Sequence, residues 1–407
     1  MPDKPPPSHE DALQALARAI DMPDDKAEEA RAHFKSLGEW LERNDSSIAQ
    51  YDPYIAPQGS FLLGTANRPV GKDEDYDVDL ICRLQSDKGT FTQKSLKAAV
   101  GREVIAYAKA HSMAHEPEDK RRCWTLEYAD GSQFHMDVLP CIPDAQEYQS
   151  RLRKAGFVEL ANDATKTLDA VAITDKTEPN FDRYCEDWPC SNPLGYAAWF
   201  RDIMAVSIHL RKAELAAKDS TFAKVEDIPD HAVKTTLQKA IQLLKRHRDT
   251  MFAEDMDVRP ISIIITTLAA KSYDNEDTLV GALTAILTNM DAHIETRSDG
   301  KWIPNPVNPA ENFADRWAED RRLEHSFDRW LAAARSDFGL FINASRPTEV
   351  PTVLAERLGD RTVETAMTAI GAVGAVVTTA APVAARVKEA VEEVKSTRSG
   401  TSPYYRI

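Results

Sequence analysis

Three aspartates carry the chemical signal in this chain. Asp77 and Asp79 sit two apart in Asp77-Val78-Asp79-Leu80-Ile81, and Asp137 lies in Phe134-His135-Met136-Asp137-Val138-Leu139. In a strand, residues two apart point to one face, so Asp77 and Asp79 present adjacent carboxylates while Val78 and Leu80 face a core. Two like charges held together are costly unless a cation lies between them. Magnesium takes hard oxygen ligands and commonly bridges carboxylates to substrate phosphates. Asp137, on its own alternating run, is the candidate third carboxylate. Upstream, Gln58-Gly59-Ser60-Phe61 adds a turn where glycine lets backbone approach a phosphate closely and Ser60 offers an amide and a hydroxyl. The combination points to phosphate chemistry assisted by Mg2+ or Mn2+.

Bland readings fit less well. Asp75-x-Asp77-x-Asp79 could open a calcium loop, but that loop needs Gly at its sixth position and Glu at its twelfth, where this chain has Leu80 and Ser86. A merely solvated acidic turn would not continue into Val-Asp-Leu-Ile with strand alternation. His111 and His115 are spaced for one helix face but lack the metalloprotease pattern, and Cys185 and Cys190 have no further ligands nearby. Lys245, Arg246 and Arg248 read, on their own, as the solvated face of a helix. Ser262 reads on its own as a helix cap.

The elements that must position these residues form two textures. Helical spacing of Leu13, Leu16, Ala17 and Ile20, then of Ala30, Phe34, Leu37 and Leu41, gives two leading helices broken near Pro23. Strands are expected over 60–66, 76–84, 123–128 and 133–139, the last two joined by a hairpin turn at 129–132, with a helix over 93–111. Beyond Pro143 the pattern turns helical, over 195–217, 232–252, 260–272, 279–292 and 310–338. The expected class is α+β, a mixed or antiparallel sheet with leading helices followed by a helical lobe. The expected organisation is a disordered leader (1–8), a catalytic lobe (9–145), a helical lobe (146–345) and a C-terminal extension (346–407).

Composition narrows the partners. The chain has 407 residues and a formal net charge of −15. That field repels a polyanion, which argues against long DNA or RNA as a ligand and leaves small nucleotides acceptable. Five cysteines, an odd number with no CxxC pair, and a Pro-rich charged opening with no signal-peptide pattern lead us to expect a reducing cytoplasmic setting. The uncharged run 365–385 is long enough to span a bilayer, but its Ala, Thr, Gly and Val, with Pro382 inside, insert poorly. A packed helix or an arm for a partner is the expectation there.

Gly59-Ser60, Asp77-x-Asp79 and Asp137 together resemble the signature of the polymerase-beta-like nucleotidyltransferase superfamily. Within it, the chain is similar to the bacterial cyclic-oligonucleotide synthases related to cyclic GMP-AMP synthase. The segments containing Lys245 and Ser262 resemble that family's triphosphate-binding positions, and 304–313 resembles a late segment of these enzymes. The resemblance implies a two-lobed fold in which Asp77, Asp79 and Asp137 hold divalent metal and Asp137 helps activate an acceptor hydroxyl. It implies nucleoside triphosphate substrates and a cyclic di- or trinucleotide messenger, made with release of pyrophosphate, typically in antiphage defence. It also implies that a regulatory protein could act on the C-terminal tail. A linear oligonucleotide synthase, a nucleotide-tagging transferase and a non-catalytic nucleotide sensor remain the alternatives. Ile263 stands where some relatives have a base-stacking Tyr, so base recognition does not carry over.

Overall fold

A computed structural model of the chain describes residues 7–71, 75–128, 134–218 and 233–371. Ser8 opens α1 (His9–Ile20) through a capping box with Asp11, and Pro23 precedes α2 (Asp24–Glu42). Then come β1 (Tyr54–Pro57), the one-turn α3 (Gly59–Leu62), β2 (Tyr76–Arg83), α4 (Gln93–Ala110), β3 (Glu118–Asp119), β4 (Trp124–Tyr128) and β5 (Phe134–Pro143). Three short helices follow, α5 (Ala145–Lys154), α6 (Val158–Asn162) and α7 (Ala164–Thr167), with strands β6 (Val171–Ile173) and β7 (Cys190–Ser191). The helical part comprises α8 (Pro193–Ile203), α9 (Ala205–Lys218), α10 (Thr236–Met251), α11 (Ser262–Ser272) and α12 (Leu279–Asn289). Two small hairpins, β8 (Glu295–Arg297) with β9 (Gly300–Trp302) and β10 (Pro304–Asn305) with β11 (Asn308–Asn312), precede α13 (Arg316–Glu319) and α14 (Arg321–Ile342). The described chain closes with α15 (Thr352–Leu358) and α16 (Asp360–Ala369).

One sheet organises the first lobe, in the order β1-β2-β5-β4-β3, with β6 on β5 and β7 on β6. Among the described residues only β2 and β5 pair in parallel and the other pairs are antiparallel, so the sheet is mixed as expected. Its inward face packs Val78, Leu80, Met136 and Val138, each at most 1% exposed, against α2 and α4 residues such as Leu37, Leu41, Leu96 and Val104. Period-two alternation thus buries one face of β2 and leaves Asp77 and Asp79 on the other.

A second, larger core belongs to the helices. It gathers Leu237, Ile241 and Leu244 of α10, Ile265 and Leu268 of α11, Leu283 of α12, and Trp330 and Phe338 of α14. Leu13, Leu16 and Ile20 of α1 are buried in this core. α1, which falls within the expected 9–145 lobe, thus packs its apolar face on the helices that follow. Periodicity shows that a helix has an apolar face but not which core receives it.

Other expectations are corrected in detail. Residues 60–66 form no strand: Gly59–Leu62 is helical and the chain then turns, because Gly59 and Gly64 adopt φ of +59° and +65°. The expected helix over 310–338 begins only at Arg316, after β11. Strands β1, β3, β6, β7 and β8 to β11 lie outside the expected strands. The expected turn at 129–132, the leader up to residue 6 and the apolar run beyond residue 371 lie outside the described residues. Thr365 to Ala369, the start of that run, are the end of α16, whose Val363, Ala366 and Met367 pack into the helical core.

Candidate active site

Strand register brings the three aspartates together. In the parallel β2–β5 pair, Asp79 is the direct partner of Asp137 and Asp77 of His135. Neighbouring strands lie about 4.8 Å apart, so carboxylates at partner positions on one face are neighbours. Asp77 and Asp79 both feel neighbouring carboxylates. Burial, then the charges of Asp77 and Asp137, pushes Asp79 up to about 6, with Lys245 pulling the other way. Asp77 is also raised, by burial and by Asp137, against the opposing charges of His135, Lys120 and Arg259. Asp137 accepts a hydrogen bond from Thr125 Oγ1 and has Lys120 Nζ 3.9 Å away. Beside it, His135 Nε2 lies 3.0 Å from Asp75 and 3.8 Å from Glu127.

Gly59 packs on the Asp79 carboxylate, and Ser60 follows it in the one-turn α3. The Gln58 amide donates to the Asp79 carbonyl at 2.8 Å, tying the start of α3 to β2. Gly59 packs against the Asp79 side chain so tightly that an added Cβ would strike its carboxylate, and its φ of +59° independently favours glycine. As a first-turn residue, Ser60 has a backbone N–H with no intrahelical acceptor.

One face of α10 grips the segment that follows. Gln238 Nε2 donates to the Leu63 carbonyl (2.9 Å), Gln242 Nε2 to Ala66 (2.8 Å) and Lys245 Nζ to Thr65 (2.9 Å), and Arg246 donates to Arg68. This row of donors sets the glycine-serine turn and Lys245 against each other across the two lobes. Lys245, Arg246 and Arg248 are 6%, 3% and 4% exposed, which overturns their reading as a solvated face. Burial and the charge of Arg248 lower Lys245 to about 8, opposed by Asp249, Asp79 and Asp77.

Ser262 is the first residue of α11, and its Oγ accepts from Arg248 Nη1 at 2.9 Å. It lines a cavity of about 280 Å³ together with Arg248, Arg259, Phe313 and Trp317. Sequence reasoning missed Thr125, Lys120 and Arg259. Each depends on strand pairing or on a loop crossing between lobes, and no local motif marks it. Arg248 was visible as a charge three residues after Lys245, but its burial was not.

The donor set suits a divalent cation. All three aspartates offer hard oxygens, and burial first and neighbouring carboxylates second raise Asp77 and Asp79, a cost to the charged forms that a bound cation would offset. In these rotamers no three His, Cys, Asp or Glu side chains among the described residues close into a ready ligand set.

Comparison with known proteins agrees with this geometry. A family model described as cyclic GMP-AMP synthase DncV-like, nucleotidyltransferase domain, matches residues 53–140, which run from β1 through the Asp137 strand. A c-di-GMP synthase of Roseivirga ehrenbergii is 29% identical over 323 residues, covering 78% of this chain and 75% of the relative. The cyclic dinucleotide synthase CdnG of Bradyrhizobium diazoefficiens is 24% identical over 341 residues, covering 81% and 75%. The structure of that CdnG in complex with GTP superposes with a TM-score of 0.65 at 20% identity, covering 89% of this chain and 99% of that one. Vibrio cholerae DncV cyclic AMP-GMP synthase superposes with a TM-score of 0.55 at 14% identity, covering 88% and 97%. The sheet that aligns three carboxylates beside a glycine-serine turn therefore coincides with the stretch that matches the DncV-like nucleotidyltransferase domain, and the chain is a nucleotidyltransferase similar to the cyclic dinucleotide synthases.

Proposed function

We propose that this nucleotidyltransferase joins two nucleoside triphosphates into a cyclic dinucleotide, with GTP as a substrate. The observation that carries the reading is the register of β2 on β5, which sets Asp79 beside Asp137 under the Gly59–Ser60 turn. The choice of GTP draws on the relatives named c-di-GMP synthase and CdnG, the latter solved with GTP.

In this mechanism Asp77, Asp79 and Asp137 are the residues that would hold Mg2+ or Mn2+. Bound there, the metal supplies charge neutralisation at the reacting phosphate and leaving oxygen. The Ser60 amide and hydroxyl, Lys245 and Ser262 hold the triphosphate and fix its direction. Asp137, already steadied by Thr125, takes the proton of the acceptor ribose hydroxyl. The hydroxyl oxygen bonds to the α-phosphorus, the bond to the β-phosphate oxygen breaks, and pyrophosphate departs. Repeating the step within the linear dinucleotide closes the ring and releases a second pyrophosphate. The product would serve as a messenger in antiphage defence, with a protein regulator engaging the C-terminal tail.

The test is to incubate the protein with labelled ATP, GTP, CTP and UTP singly and together, with Mg2+ or Mn2+, followed by phosphatase. A phosphatase-resistant product that needs GTP, and is absent with Asp77→Asn, supports the proposal. A product that phosphatase trims at its 5′ end to a linear dinucleotide, rather than leaving unchanged, would instead assign a linear synthase.

A further inference from the structure

Arg248 lies on α10 three residues beyond Lys245 and is 4% exposed. Its Nε and Nη2 donate to Asp249 Oδ1, at 2.9 and 2.5 Å. Nη1 donates to the Pro260 carbonyl at 3.0 Å and to Ser262 Oγ at 2.9 Å. Arg259 Nη1 reaches the same Asp249 oxygen at 3.2 Å, so the carboxylate is held from two sides. Four of the five guanidinium donors are thus directed at protein acceptors, which leaves little of Arg248 for a substrate.

The consequence falls on Ser262. A guanidinium can only donate, so in the Arg248 contact the Ser262 oxygen is the acceptor. The single hydroxyl proton must then point away from Arg248. Ser262 begins α11, where first-turn N–H groups lack intrahelical partners and the helix dipole favours anions. Its side chain borders the 280 Å³ cavity shared with Arg259 and Phe313.

We infer that Arg248 is a positioning residue for nucleotide binding: by donating to Ser262 Oγ it turns the hydroxyl proton outward to a phosphate oxygen of a bound nucleoside triphosphate. The inference rests on the reading of Ser262 as a phosphate ligand. Asp249 fixes the plane of the guanidinium, and the Pro260 carbonyl fixes the approach of α11 to α10. A simple interhelical staple would use the same contacts but would not act through the serine proton, and this separates the two roles.

The experiment is a double-mutant cycle on the full chain, read as the Kd for GTP and ATP by calorimetry in Ca2+, and as KM and kcat in Mg2+. Ser262→Ala and Arg248→Gln should each weaken binding about tenfold, or about 1.4 kcal/mol. The double variant should be no weaker than either single, and the loss should fall on KM rather than kcat. Arg248→Lys, which keeps a donor, should recover part of the affinity. If Arg248→Gln does not fold, the Arg248→Lys effect should still vanish in the Ser262→Ala background. Wild-type affinity in Arg248→Gln, or losses that multiply to about a hundredfold in the double variant, would overturn the inference. So would a wild type that binds neither nucleotide. A wild type that binds GTP but forms no oligonucleotide would instead remove the proposed function, while the binding cycle would still decide the role of Arg248.

Discussion

Replacing Asp79 with asparagine should abolish nucleotidyl transfer and, at neutral pH without metal, make the protein more stable. The folded environment raises Asp79 from 3.8 to about 6, first through burial and then through Asp77 and Asp137. A carboxyl raised by folding favours the protonated form. Its contribution to stability is therefore best below its unfolded value and is lost as pH rises through the folded value. A shift of about two units corresponds to about 3 kcal/mol of destabilisation above pH 6, at 1.36 kcal/mol per unit. Partial solvent access reduces this to about 1–2 kcal/mol. Asparagine removes the charge at nearly the same volume. In EDTA at pH 7.5 the variant should melt roughly 2–8 °C above wild type, using 2–4 °C per kcal/mol for a cooperative unit the size of one lobe. The gap should close as pH falls toward 4. Added Mg2+ should raise the wild-type melting temperature and leave the variant almost unmoved, since ligand binding stabilises only the form that binds. A variant less stable than wild type at pH 7.5, or equally stabilised by Mg2+, would refute the reasoning that these carboxylates form a charged site built for a cation.

Other positions give independent checks. Gly59→Ala should lose activity and melt lower, because its φ of +59° costs a side chain about 1–2 kcal/mol and the new Cβ strikes the Asp79 carboxylate; a wild-type melt and rate would contradict the packing. Lys245→Ala should raise KM for nucleotide about 10–100-fold, the range for a hydrogen bond to a charged group, and unchanged kinetics would take Lys245 out of the site. Truncation after residue 371 should preserve the melting temperature, whereas truncation after residue 351 should lower it sharply. The second cut removes Leu354, Leu358, Ala366 and Met367 from the helical core, and equal melting of both products would show that α15 and α16 are dispensable.

The proposed catalytic signature is legible because it is local. Asp77-x-Asp79 needs only the period of a strand, Gly59 only a turn, and α4 and α10 only their apolar spacing. The parallel register of β2 on β5 was not legible, since the β3–β4 hairpin and α4 intervene and alternation does not say which strands pair or in which direction. Ser60 was read as strand because Phe61, Leu62 and Leu63 are apolar, while the positive φ of Gly59 and Gly64 made a helical turn instead. Arg246 and Arg248 looked solvated because charge on a helix usually is. Their burial depends on carbonyls supplied by Arg68, Leu358 and Pro260, residues far from them or on another element.

The sequence by itself determined the three carboxylates, the turn that approaches them and the change from sheet to helices, because residue type and short-range period decide those. Tertiary structure alone decided that Asp79 faces Asp137, that α1 joins the helical core, and that α10 reaches across to carbonyls 63–68. Each of these is a choice among partners that satisfy the same local pattern, and only the packing of the whole chain distinguishes them.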